Sequence, residues 1–270
     1  MATDIRDTKL IKELAANDKK TRDAALESLR TYLSSSRPLT PLDYLKIHSG
    51  LFYSMWMCDR PLPQQSLANS LASLLGTLPA SKQASFYTGF WNIMCKEWER
   101  IDVLRMEKFL LLVRRYLAAG FEVIISSAEG SGKKKGGSKK SGKGDDGMGG
   151  AGEEVLGVLA EIPCGTGPDA QRTPNGMRFH VIDIWVDELE KLGVLDAAKE
   201  SEEGAERLER LLEPLRKLGK ESINKVVRNK VKEALGDERL PGNGKGGAEE
   251  DAEMSDASDG VEDGWGGIED

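Results

Sequence analysis

Cysteine and histidine are scarce in this chain, with three of one and two of the other in 270 residues. Cys58, Cys95 and Cys164 stand far apart, none belongs to a Cys-x-x-Cys pair, and only His48 and His180 are available to complete a ligand set. That scarcity argues against a structural zinc site and a disulfide framework, and it suits a reducing compartment. No apolar run approaches the ~18 residues that a bilayer-spanning helix needs, so no membrane partner is expected. The opening MATDIRDTKL is charged and has no apolar stretch, which argues against a secretory signal. Convincing strands are missing as well, and with them any alternating αβ pattern that would supply a parallel sheet. No carboxylate cluster for two-metal chemistry and no nucleophile beside a histidine can be found. The expectation is a chain that is not an enzyme, takes no cofactor and has no small-molecule substrate.

Charge is distributed unevenly. The formal net charge is −7, yet residues 245–270 carry ten acids and one base, and without the acidic tail the chain is slightly basic. Residues 131–144 carry six lysines and no acid. The overall acidity therefore does not argue against a nucleic-acid partner.

Hydrophobic residues make up 39% of the chain, enough for a real core. Their spacing is helical. Leu26, Leu29 and Leu33 repeat on one face, with Asn17 or Asp18 placed to cap. Thr40-Pro41-Leu42-Asp43 combines a capping threonine, a proline suited to a first turn and an acid near the positive end of the dipole. LDYLKIHSGLFYSMWM is apolar nearly all round and should be buried on most sides. Leu67, Leu71, Leu74, Leu75 and Leu78 form a stripe. Phe86, Phe90, Met94 and Trp98 form another, and Leu110, Val113 and Leu117 follow. FEVII, residues 121–125, reads as a continuation of that last helix or as a short extended exit past Gly120. Further helices are expected at 175–193, at roughly 204–218 and at 220–235.

The prediction is an all-α fold of nine or ten helices, stacked as antiparallel pairs in the manner of HEAT or armadillo solenoids. Four parts are expected. Residues 1–126 and 153–240 form one helical body, 127–152 a flexible Gly/Lys-rich insert, and 241–270 a disordered acidic tail.

Within the insert, Gly137–x4–Gly142–Lys143–Gly144 falls one residue short of a phosphate-binding P-loop. Glycine stands where a Mg²⁺-binding hydroxyl belongs, and DDGMGGAGEE cannot open the helix that the motif requires. A basic loop is the better reading.

Three separated strings carry a resemblance. GLFYSMWMCDRPLPQQSLA (50–68), FWNIMCKEWERIDVLRMEKFLLLVRRYL (90–117) and TPNGMRFHVIDIWVDELEKL (173–192) closely resemble the nucleolar ribosomal RNA-processing protein 1 family of eukaryotes. The resemblance covers about 8–236 apart from the insert. It implies an all-helical, repeat-like body. It also implies a non-catalytic assembly factor of the nucleolus and nucleus, needed for pre-rRNA processing. Its partners would be large-subunit precursor rRNA, other assembly factors and ribosomal proteins. The rival reading is a nuclear protein–protein adaptor that never touches RNA.

Candidate binding residues follow from charge and helical spacing. Asp59 and Arg60 leave a helix end toward a partner, whereas Trp56 and its neighbouring methionines read as core. Lys96 with Arg100, and Arg105 with Lys108, are helical neighbours that a hairpin would gather on one surface suited to phosphates. Glu97, Glu99, Asp102 and Glu107 offer the alternative of a solvated, charge-balanced face. Arg114 and Arg115 have no acid in the adjacent turns. Lys133, Lys134, Lys135, Lys139, Lys140 and Lys143 suit a sequence-independent phosphate clamp, a nuclear-import signal or a solubilising linker. A clamp using all six on single-stranded RNA would give a salt slope of roughly −4. No aromatic interleaves them, so base stacking is not expected. Lys225, Arg228, Lys230 and Lys232 form a basic face opposite an apolar side of Ile223, Val226, Val227, Val231 and Leu235. His180 with Asp183 or Asp187 can be drawn as an acid–base pair, but nothing beside it supplies a nucleophile. The acidic tail, with Trp265, can stay solvated, mimic RNA or fold back on the lysines.

Overall fold

Thr40 shows how locally the architecture is specified. Its hydroxyl accepts the Asp43 amide, and the Asp43 carboxylate accepts the Thr40 amide, closing a reciprocal cap over Pro41. Such starts and stops recur through the computed structural model, which describes residues 9–35, 38–132 and 150–243. Eleven α-helices and no strand occur among the described residues. They are α1 (Lys9–Leu14), α2 (Lys19–Ser34), α3 (Pro41–Trp56), α4 (Pro61–Thr77), α5 (Ala80–Glu97), α6 (Val103–Gly132), α7 (Ala151–Glu161), α8 (Asn175–Lys191), α9 (Val194–Glu200), α10 (Glu202–Glu221) and α11 (Lys225–Leu235). Two 3-10 turns, Trp98–Arg100 and Pro168–Arg172, lead into α6 and α8.

Asp18 rather than Asn17 caps α2, accepting the Thr21 amide at 2.9 Å. Pro61 both ends the preceding segment and opens α4 in its first turn, where a missing N–H costs nothing. FEVII is helix: α6 passes through Gly120 without a break, and Phe121, Val123 and Ile124 point into the core. Besides α7, the helix that periodicity did not reveal is α9. It spans seven residues, too few for a stripe. Gly193 adopts a left-handed conformation, with φ at 72°, and so makes the turn that separates α9 from α8. Glycine takes that conformation without steric penalty.

The stacking is that of an α-solenoid. Helices α1, α3, α5, α7 and α10 pack in succession along one layer; α4, α6, α8 and α11 do so along the other. Each apolar stripe turns toward the space between the layers, and one contiguous core runs from Leu14 to Leu240. Phe90 and Tyr116 stack at 3.6 Å between α5 and α6. Such a ring pair contributes about 1 kcal/mol beyond its buried area. Trp185 of α8 donates its indole N–H to the Leu211 carbonyl of α10 at 3.1 Å, leaving that buried polar group satisfied. Helix α6 continues to Gly132 and α7 begins at Ala151, so the body has structure on both sides of the lysine-rich stretch. The six lysines, the P-loop-like string and the acidic tail lie outside the described residues.

Candidate interaction surface

The cations separate into those bound up in the fold and those left facing outward. Lys108 belongs to the first group, which corrects its place among the binding residues. It lies on α6 with only 3% of its side chain exposed. Its ammonium donates to the Trp56 carbonyl at 2.7 Å and to the Cys58 carbonyl at 2.8 Å. The first bond satisfies a carbonyl that the C-terminal end of α3 leaves without an intrahelical partner, and the Cys58 carbonyl, just past that end, also accepts the Gln64 side-chain amide at 2.8 Å. Burial lowers the pKa of Lys108, and Asp59 partly opposes that shift. Arg105, one turn earlier, pairs with Asp102 and lies over the Trp56 ring at 4.7 Å, a cation–π contact.

Helix α8 absorbs several more. Arg114 reaches from α6 to Asp187 (3.2 Å) and Glu188 (3.0 Å), and Lys191 also holds Glu188 (2.7 Å), a carboxylate only 2% exposed. Arg239, beyond α11, bridges Asp237 (2.7 Å), Glu190 (2.6 Å) and Asp187 (3.0 Å), contacts that raise its pKa, the Asp237 bond most. Lys230 of α11 meets Asp183 at 2.8 Å, and that bond holds its pKa up. The acids of α8 thus tie α6, α11 and the following turn to one helix. Arg114 and Lys230 are therefore internal ties, and acids distant in sequence are what neutralise them.

The acid–base pair drawn around His180 is also absent. Its Nε2 lies 2.9 Å from the Leu110 carbonyl, the geometry of an Nε2–H donor, and burial lowers the pKa of the ring. Asp183 and Asp187 are occupied by the cations just described.

What remains exposed is a shorter set. Arg60 stands at the mouth of α4 with no capping bond. Lys96 is 73% exposed and lies 3.9 Å from Glu97; Arg100 binds the same carboxylate at 2.8 Å. Lys96 borders a groove between α1, α3 and α5, away from the elements that carry α11. Arg115 is half-buried, and its Nε has no hydrogen-bond partner.

The last helix offers the clearest arrangement. Lys225, Arg228 and Lys232 fall at i, i+3 and i+7, one stripe along α11, with both lysines exposed. Arg228 is partly engaged, donating to the Ser222 and Ile223 carbonyls at 2.7 and 2.9 Å and closing the end of α10. The expected apolar side divides. Val227 and Val231 are buried, whereas Val226 is 59% exposed. Consecutive residues stand about 100° apart round a helix, which turns Val226 away from the core that Val227 enters. Ile223 precedes the helix and is 91% exposed. Beside Ile223 opens a groove of about 700 Å³ between the α10–α11 corner, the Thr166–Pro168 loop and the start of α8 at Asn175. Sequence reasoning missed this groove. Its one visible signal was Ile223, an apolar residue next to the Asn224 cap, where polar turn residues are usual.

Comparison with known proteins places the chain. A family model described as "Nucleolar protein, Nop52" matches residues 5–265. The chain is 37% identical to human ribosomal RNA processing protein 1 homolog B over 187 residues, covering 67% of this chain and 22% of that protein. It is 33% identical to mouse ribosomal RNA processing protein 1 homolog A over 194 residues, 69% of this chain and 35% of the relative. A Drosophila melanogaster homolog is 37% identical over 116 residues, 41% of this chain and 17% of the fly protein. The matched region spans between about a fifth and about a third of these curated relatives. The three strings that carried the resemblance lie on α3–α4, α5–α6 and α8, helices drawn from both layers, and the chain belongs to the nucleolar Nop52 family.

Proposed function

We propose that this protein is a non-catalytic scaffold of ribosome biogenesis, acting in the nucleolus on precursors of the large subunit. It binds the particle through rRNA and through other assembly factors, and pre-rRNA processing requires it. Family membership carries the reading, because the matched relatives are named for ribosomal RNA processing. The site chemistry supports a scaffold: the histidine that resembled half of an acid–base pair is hydrogen-bonded to a backbone carbonyl, and the carboxylates are ion-paired with Arg114 and Lys230. The α11 stripe, Arg60 and Lys96 supply the outward charge. The six lysines at 133–143 are proposed to add sequence-independent phosphate contacts.

A second reading, an adaptor without RNA contact, draws on the cations that α8 neutralises and on the exposed apolar Ile223 and Val226. Affinity purification of the tagged full chain separates the two. Large-subunit precursor rRNA is expected to co-purify in excess over small-subunit precursors, and enrichment of neither contradicts the proposal. Nuclease treatment of the bound particle is expected to release protein from an RNA-dependent scaffold, whereas an adaptor keeps its protein partners.

A further inference from the structure

We propose that the acidic segment 249–270 docks in cis on the α10–α11 corner of its own chain, with carboxylates along the Lys225–Lys232 stripe and Trp265 against Ile223. The inference is independent of whether the partner of α11 is RNA or protein.

Geometry, charge and apolar surface agree on this occupant. Asn243 is the last described residue. Its side-chain amide donates to the Leu235 carbonyl at 2.6 Å and the Asp237 carbonyl at 3.1 Å, which fixes the departing chain at the C-terminal end of α11. From there to Ile223 is one length of α11, about 18 Å at the helical rise of about 1.5 Å per residue. A Gly- and acid-rich segment as long as that from Asn243 to Trp265 would have, as a flexible coil, a root-mean-square reach of roughly 26 Å. The reach exceeds the span by less than half, close to the condition under which a tethered segment has its highest effective concentration.

The stripe and the segment are complementary in charge. Lys225 and Lys232 are exposed, and residues 249–270 hold ten acids and no base. Charge alone would suit the lysines at 133–143 equally well. Apolar surface breaks the tie. The 131–144 stretch has no apolar side chain, whereas the α11 corner exposes Ile223 and Val226 beside a groove. The segment carries matching residues in Val261, Trp265 and Ile268. Docking there would cover the stripe until a stronger polyanion or a partner displaces the tail.

The test uses purified full chain with no RNA, so its failure is distinct from failure of the scaffold reading. An equal mixture of ¹⁴N- and ¹⁵N-labelled protein, dilute and at low salt, is treated with a zero-length carbodiimide that joins lysines to carboxylates, then digested and read by mass spectrometry. Crosslinks from 249–270 are expected on Lys225 and Lys232 at roughly tenfold the yield on the exposed Lys20 and Lys199, in same-isotope pairs. Ile223→Ser, at an exposed position, should reduce them several-fold with no change in the melting curve. Three outcomes would overturn the proposal: crosslinks spread over all exposed lysines, crosslinks concentrated on 133–143, or mixed-isotope pairs at the statistical share, which would indicate a second copy.

Discussion

Lys108 places a buried ammonium at the end of α3, where it donates to the Trp56 carbonyl and shares the Cys58 carbonyl with the Gln64 amide. Burial thus decides the role of a cation whose basic string leaves it ambiguous. Lys108→Met keeps the apolar stem and leaves the Trp56 and Cys58 carbonyls without that donor. The expected loss is about 2 kcal/mol of stability, read as a lower denaturant midpoint, with RNA association unchanged in the folded fraction. His48 gives a pH dependence. It is fully buried against Phe86, with no partner for Nε2, and burial pushes its pKa down to about 3. The unfolded ring titrates near 6.5, so between the two values the unfolded state holds the extra proton. Its contribution is complete above 6.5 and is lost as pH falls toward 3. Half-buried His180, whose pKa is lowered too, acts in the same direction. Stability measured from about pH 7 to about pH 5, above most carboxylate titrations, should fall, and His48→Phe should flatten that slope. An unchanged slope would place the imidazole in contact with water.

Among the helices, sequence was most informative about those with long stripes. Periodicity located α2, α4, α5 and α8 because every repeated leucine or aromatic had to face the same core. It could not locate α9, whose few residues are fixed by a tertiary contact. A methyl group on Gly204 would lie 2.0 Å from the Ala197 carbonyl oxygen, so the backbones of α9 and α10 meet there. Gly204→Ala should cost about 2 kcal/mol or more, detected as early hydrogen exchange across 194–201. The pairing of Arg114 and Lys230 was hidden for a related reason. Acid–base balance along one helix says nothing about Asp183 and Asp187, which reach Lys230 and Arg114 from a helix distant in sequence from both. Arg114→Ala should leave Glu188 with Lys191 as its remaining partner, at a cost of about 2 kcal/mol given the partial exposure of the arginine. Thermal melts of the single and double variants with Glu188→Gln measure the coupling.

The all-α stack as a whole was legible because each stripe demanded a facing layer, and the family strings lie on helices of both layers. The surface was legible only in part. Exposure is a property of the assembled solenoid, and the groove beside Ile223 joins loops that are far apart along the chain. On the proposed function binding rests on the outward cations, whereas the inward ones are tied into the fold. Ultraviolet crosslinking of the tagged full chain in cells, with sequencing of the attached RNA, tests that division most directly. Lys225→Glu with Lys232→Glu should weaken discrete crosslinks in large-subunit rRNA by roughly tenfold, whereas Arg114→Ala in the folded protein should leave them intact. Crosslinks that survive the α11 pair and vanish with Arg114, or only background crosslinks from a protein that still sediments with the precursor particle, would contradict it.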